Sequence, residues 1–139
     1  MNSRFVLALL LSLPFLAPAA VPAYLMLETV DADTGEHISS LIRITDGEGR
    51  VKELSNLLNR GIGLRNNHPA SQWYCHNGRE VLKDVQGDLT VEAFAGPEYE
   101  MTKESIRVRA GQRVGMNLKL RRIASPRATG WRSGNTHLH

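Results

Sequence analysis

Apolar and polar residues alternate with period two through most of residues 24–121, a pattern that predicts strands rather than helices. Tyr24 to Val30 is rich in β-formers and closes on a cluster of turn residues, Asp31-Ala32-Asp33-Thr34-Gly35-Glu36. Ser40 to Thr45 places Ile42 and Ile44 on one face and Leu41 and Arg43 on the other, until Asp46-Gly47-Glu48-Gly49 stops it. Trp73-Tyr74-Cys75 and Glu80 to Val85 flank His76-Asn77-Gly78-Arg79, where Asn-Gly predicts a tight hairpin. After the turn at Gln86-Gly87-Asp88, Leu89 to Ala95 carries apolar residues on both faces and reads as a central strand. Ile106 and Val108 alternate with Ser105, Arg107 and Arg109; beyond Ala110-Gly111-Gln112, Val114, Met116, Leu118 and Leu120 alternate with polar positions. One face of each is oily and the other wet, which predicts a half-buried antiparallel hairpin.

Glu53 to Gln72 departs from this rhythm. Leu54, Leu57 and Leu58 have helical spacing, and Gly61, Gly63 and Pro69 then break it, so a long loop with a short helix is expected over an edge of the sheet. The fold class that follows is all-β: an antiparallel β-sandwich of about seven short strands, spanning residues 20–123.

The first nineteen residues belong to another kind of segment. Met1 to Arg4 supply a positive start, Phe5 to Leu16 an apolar run containing Pro14, and Ala17-Pro18-Ala19 small residues at the minus three and minus one positions. This is the layout of a secretory signal peptide cleaved after Ala19, with Ala23 the second choice. A spanning helix needs about 20 apolar residues, so stable membrane insertion after cleavage is not expected. The mature chain is therefore expected to be periplasmic or secreted. Its lone cysteine, Cys75, excludes an intrachain disulfide and reads as a buried, inert thiol.

Charge alters the picture little. Of 17 basic residues, loss of Arg4 leaves 16 against 14 acids. From Met101 onward Glu104 is the single acid among many Lys and Arg. These alternate with apolar residues as a solvated sheet face does, and no aromatic residues are interleaved as a single-strand binder would need, so a nucleic-acid partner is not expected. No Gly-x-Ser-x-Gly elbow, phosphate loop or Cys-x-x-Cys pair is present. His37, His68 and His76 lie in turn or loop contexts without a partner at ligand spacing and read as solvated. Trp131 reads as a packing residue.

Candidate chemistry gathers after Ser125-Pro126, in Gly130-Trp131-Arg132-Ser133-Gly134-Asn135-Thr136-His137-Leu138-His139. In an extended segment His137 and His139 point to the same face about 7 Å apart, a spacing from which two imidazoles can reach one metal ion.

Four pieces in order, Asp31 to Glu36, Gly96-Pro97-Glu98-Tyr99-Glu100, Ala110-Gly111 and the Gly130 to His139 stretch, resemble exported PHP-type metallohydrolases of the carbaryl-hydrolase-like group. In that family a sandwich similar to prealbumin and the carboxypeptidase regulatory domain precedes a metal-binding hydrolase barrel. The barrel opens with a Gly-Trp-x-Ser-Gly-Asp-x-His-x-His motif. The resemblance implies that His137 and His139 are the first two ligands of a divalent metal, Zn or Mn, and that residues 124–139 are a linker and the start of a hydrolase domain that is the module's missing partner. Asn135 stands where the family has Asp, which keeps the hydrogen-bonding shape but not the charge. Two ligands leave an ion mostly to water, so no stably bound metal and no catalysis are expected of this chain alone. The alternative is a stand-alone, non-catalytic extracytoplasmic β-sandwich that acts as a binding module.

Overall fold

Eight strands carry the chain through two facing sheets in a computed structural model that describes residues 21–65 and 67–132. The expected signal peptide, His137 and His139 lie outside the described residues. The strands are β1 (Tyr24–Asp31), β2 (Ser40–Asp46), β3 (Leu58–Asn59), β4 (Tyr74–His76), β5 (Arg79–Lys83), β6 (Gly87–Phe94), β7 (Thr102–Val108) and β8 (Arg113–Leu120). One sheet has the order β5-β1-β8 and the other β3-β4-β2-β6-β7. All pairings are antiparallel except β1 with β8, which run parallel from Tyr24↔Arg113 to Asp31↔Leu120. The architecture is the expected β-sandwich, with eight strands instead of about seven.

Strand alternation decides what fills the space between the sheets. Leu25 and Leu27 from β1, Leu82 from β5, and Met116, Leu118 and Leu120 from β8 point inward from one side. Ile42 and Ile44 from β2, Tyr74 from β4, Leu89, Val91 and Ala93 from β6, and Val108 from β7 meet them from the other. At about 25 cal/mol per Å² of apolar surface removed from water, this layer is the principal source of stability. β6 is an interior strand between β2 and β7, as its two-faced apolar pattern predicted.

Two expected hairpins are sheet crossings instead. β7 and β8 present the wet and oily faces read from the sequence, but β7 pairs with β6 in the larger sheet and β8 with β1 in the smaller one. The turn between them is held by the chain entering β1: Gly111 N–H donates to the Val21 carbonyl at 3.3 Å, and Tyr24 N–H to the Gln112 carbonyl at 2.8 Å. Parallel pairing with β1 completes eight residue pairs and sets the inward rows of both strands side by side. Alternation says which side of a strand is buried, not which neighbour it takes.

At Asn77-Gly78 the chain likewise leaves one sheet for the other, from β4 to β5. Gly78 sits at φ +91° with its carbonyl accepting the Thr29 N–H at 2.9 Å. A Cβ there would meet the Cβ of His37 at 3.1 Å and the backbone of Ile38 at 3.3 Å. The glycine is needed for a crossing that passes close under the loop after β1, not for a hairpin turn.

The expected helix at Leu54 to Leu58 does not form. Leu54 is buried and its carbonyl closes a turn with Leu57 N–H, while Leu58 is exposed and pairs through β3 with β4. The loop does reach the sheet edge it was expected to cover, as an edge strand. Asn59 then ties its two ends, donating to the Ser71 carbonyl at 2.8 Å and accepting from Gly61 N–H at 2.7 Å.

Candidate functional site at the exit from the sandwich

β1 ends in a buried carboxylate. Asp31 accepts the Asp33 and Thr34 N–H groups on Oδ1 at 2.9 and 3.2 Å, the side-chain turn that Asp-x-Asp-Thr-Gly builds locally. Its other oxygen accepts from the Tyr99 hydroxyl at 2.8 Å and lies 3.4 Å from Nη2 of Arg122. Arg122 also stacks over the Tyr99 ring at 4.5 Å to the centroid, contacts its hydroxyl through Nη2, and bonds Glu98 through Nη1 at 2.7 Å. Four hydrogen-bond donors favour the ionised form of Asp31. The Tyr99 hydroxyl first, then the two backbone N–H groups, lower its pKa to about 2, with the Arg122 charge a smaller help. Burial, and then the bond to Asp31, push the Tyr99 hydroxyl upward.

This cluster clamps the segment that follows β8. Tyr99 and Arg122 form an antiparallel bridge, Glu100 N–H donates to the Arg121 carbonyl at 3.0 Å, and Ile123 N–H to the Glu98 carbonyl at 2.8 Å. Where the sequence predicts the opening of a linker, after Ser125, a 3-10 turn spans Pro126–Thr129 and Gly130 closes it at φ 91°. Between this turn and the Gly96–Glu100 loop lies an open groove of ≈ 930 Å³, lined by Pro97, Glu98, Arg122, Arg127, Trp131 and Arg132 among others. Trp131 is 72 % exposed, so it does not pack as expected. The structure thus gathers two of the motifs read from the sequence, Asp31 with its turn and Glu98-Tyr99, at one end of the sandwich. Arg122, which joins them, carried no signal beyond its charge, because its partners lie 91 and 24 positions away.

A second polar cluster corrects the reading of His76 as solvated. It is 1 % exposed, with Nδ1 accepting from Gly78 N–H at 3.2 Å and Nε2 at 3.3 Å from the Leu27 carbonyl, which assigns the proton to Nε2. Thr29 Oγ1 lies 3.1 Å from the ring, donates to the Ile38 carbonyl at 2.7 Å and receives Ser40 Oγ at 3.3 Å. Burial lowers the His76 pKa, and the bond to Leu27 opposes that shift. Every polar atom here is occupied holding β1, β2, β4 and the β4–β5 crossing together, so the trio is a structural joint and not a nucleophile. His37 and His68 are exposed as expected, His68 capping the 3-10 turn Pro69–Gln72 through Ala70 N–H. Cys75 is only partly buried, on the outward side of β4.

Among the described residues no three His, Cys, Asp or Glu side chains converge on a point where a metal ion would sit. His137 and His139 lie outside them, and a complete ligand set is not found within residues 21–65 and 67–132.

The fold defines the class, a two-sheet β-sandwich module. No protein-family profile and no curated protein sequence matches the chain. Among solved structures it is similar to GBS52, the minor pilin of the Gram-positive pathogen Streptococcus agalactiae, with TM-score 0.56 and 14 % identity over 77 % of this chain and 47 % of the pilin. It also matches phospholipase PlaB of Legionella pneumophila at TM-score 0.46 and 14 % identity, over 84 % of this chain and 28 % of that one. The chain spans about half the length of the pilin it matches. At such identity the likeness to the pilin speaks for the β-sandwich fold alone.

Proposed function

We propose that the chain is an exported, non-catalytic β-sandwich that serves as the accessory module of a metal-dependent PHP-type hydrolase. The observation that carries this reading is the braced exit. The Gly130 to His139 motif begins where the Pro126–Thr129 turn is capped, directly after a segment held by Arg122, Glu98, Tyr99 and Asp31. A module that fixes the direction of the chain at that point would set the orientation of whatever follows. Residues 1–19 are its signal peptide, residues 20–123 the sandwich, and residues 124–139 the junction with the hydrolase.

On this reading His137 and His139 are metal ligands, for Zn or Mn. A divalent ion so held supplies a water of lowered pKa for hydrolysis. Neither His76, sealed in the core, nor Asp31, committed to four donors, is available to it as a proton carrier. The alternative, a stand-alone binding module, draws its support from the groove, where exposed Trp131 lies among three arginines.

Two measurements test the proposal. In calorimetric titration the purified chain should bind Zn²⁺ or Mn²⁺ weakly, lose that binding with His137→Ala plus His139→Ala, and turn over no ester, carbamate or phosphoester. Metal-dependent turnover lost in the double variant makes the chain an enzyme in its own right. Sequencing the gene past codon 139 should reveal an open frame with further His and Asp clusters, whereas an immediate stop leaves the stand-alone module.

A further inference from the structure

The two outer faces of the sandwich treat charge differently. On the five-stranded sheet, outward cations are matched: Arg43 with Glu92 at 2.7 Å, Lys103 with Glu92 at 4.0 Å, and Arg107 with Asp88 at 2.7 Å. On the three-stranded sheet, strand register lays the outward side chains in rows. Lys83, Tyr24 and Arg113 form the first; Val81, Met26 and Gly115 the second; Arg79, Glu28 and Asn117 the third. Lys119 follows on β8 beside Val30. Of these cations only Arg79 has an acid within 4.0 Å among the described residues, Glu28 at 3.1 Å, which Asn117 also contacts. Arg113 rests on the Tyr24 ring at 4.7 Å.

Among the described residues the centre of the same face is apolar and about half exposed. Met26 is 43 % and Val81 48 % exposed, and Gly115 beside Met26 adds no side chain. Exposed apolar residues flanked by four cations, three of them without an acid within 4.0 Å among the described residues, select a partner that is anionic at its surface and apolar beneath.

We propose that the outer face of the β5-β1-β8 sheet docks on an anionic phospholipid surface. Size decides between a membrane and a protein partner. Three strands about 4.8 Å apart and five residues of about 3.3 Å rise give a flat footprint of roughly 250 Å², and even with side-chain relief added this is short of the ~800 Å² of accessible surface per partner that a stable protein interface buries. A lipid surface sets no such minimum, since each cation and each apolar side chain adds its own attraction. A second copy would face like charge with like charge. The Lys119 end of the face borders the clamp, since Asp31 pairs with Leu120, but none of Lys83, Met26, Val81 or Arg113 takes part in it, so the proposal rests on other observations than the hydrolase reading.

All eight strands lie between Tyr24 and Leu120, so the chain from Ala20 onward holds the whole core and is the form to test. Cosedimentation with vesicles containing phosphatidylglycerol should show binding that weakens as salt rises, with little binding to phosphatidylcholine alone. At about fivefold per cation, Lys83→Gln with Lys119→Gln should weaken partitioning about 25-fold while leaving the thermal midpoint unchanged. Arg127→Gln with Arg132→Gln, in the groove, should leave it unchanged. Absence of binding to the anionic vesicles, equal binding to neutral ones, or loss only with the groove pair overturns the proposal. Binding to soluble polyglutamate but not to vesicles assigns the face to an acidic protein and also overturns it.

Discussion

Leu118 and Lys119 are consecutive residues of β8 with opposite environments: the leucine is fully buried between the sheets, and the lysine is exposed. Leu118→Ala removes three carbon groups from the core, a transfer loss of about 2.4 kcal/mol at ~0.8 kcal/mol per group. The sheets can close only partly over the space, so the full cost should reach about 3 to 4 kcal/mol. A domain of this size has about 5 to 15 kcal/mol in total, and each kcal/mol lowers its melting midpoint by about 4 to 8 °C. The expected fall is therefore roughly 12 to 32 °C. Lys119→Ala should stay within about 0.5 kcal/mol. Leu118→Asp, which buries an unpaired carboxylate, should leave little folded protein, whereas Lys119→Asp should fold. Urea denaturation followed by circular dichroism reads the difference. Equal midpoints for Leu118→Ala and Lys119→Ala would refute the inward register of β8, and with it the pairing to β1 that depends on it.

Acid should act through His76 before it acts on the carboxylates. Burial lowers the pKa of the ring below the ordinary 6.5, so protonation of the unfolded chain is the favoured event as the pH falls through about 6.5. Stability conferred by the neutral ring is complete above pH 6.5 and declines toward the folded pKa; Glu80 opposes this shift and His37 adds to it. Denaturation free energies at pH 7.5 and 5 should show a decline in the parent chain that is smaller in His76→Gln, and identical slopes would discredit the buried, neutral ring. At the exit clamp, carboxyl NMR should find Asp31 titrating near pH 2, and Tyr99→Phe should raise that value toward the ordinary 3.8. Because the folded pKa is depressed, the clamp's contribution is present above about pH 4 and is lost as the pH falls toward 2. An Asp31 titration that Tyr99→Phe leaves in place would mean that the backbone N–H groups alone hold the carboxylate.

Much of the sandwich is legible from period-two alternation, because each residue's side of a strand is a local property. Ile42 and Ile44, Leu89, Val91 and Ala93, and Met116, Leu118 and Leu120 are buried as their spacing dictates. Strand partners are not local. Asn77-Gly78 and Ala110-Gly111-Gln112 have the composition of hairpin turns, yet each passes the chain to the opposite sheet, where β5 and β8 pair with the two edges of β1. Leu54 to Leu58 show helical spacing, but one leucine is drawn into the core and another into an edge strand. The His-x-His motif is read from the sequence alone, and its two histidines lie outside the described residues. Only the tertiary structure closed Asp31, Tyr99, Glu98 and Arg122 into one clamp and sealed His76 beside Thr29 and Ser40, because contacts across tens of residues depend on which sheets face each other.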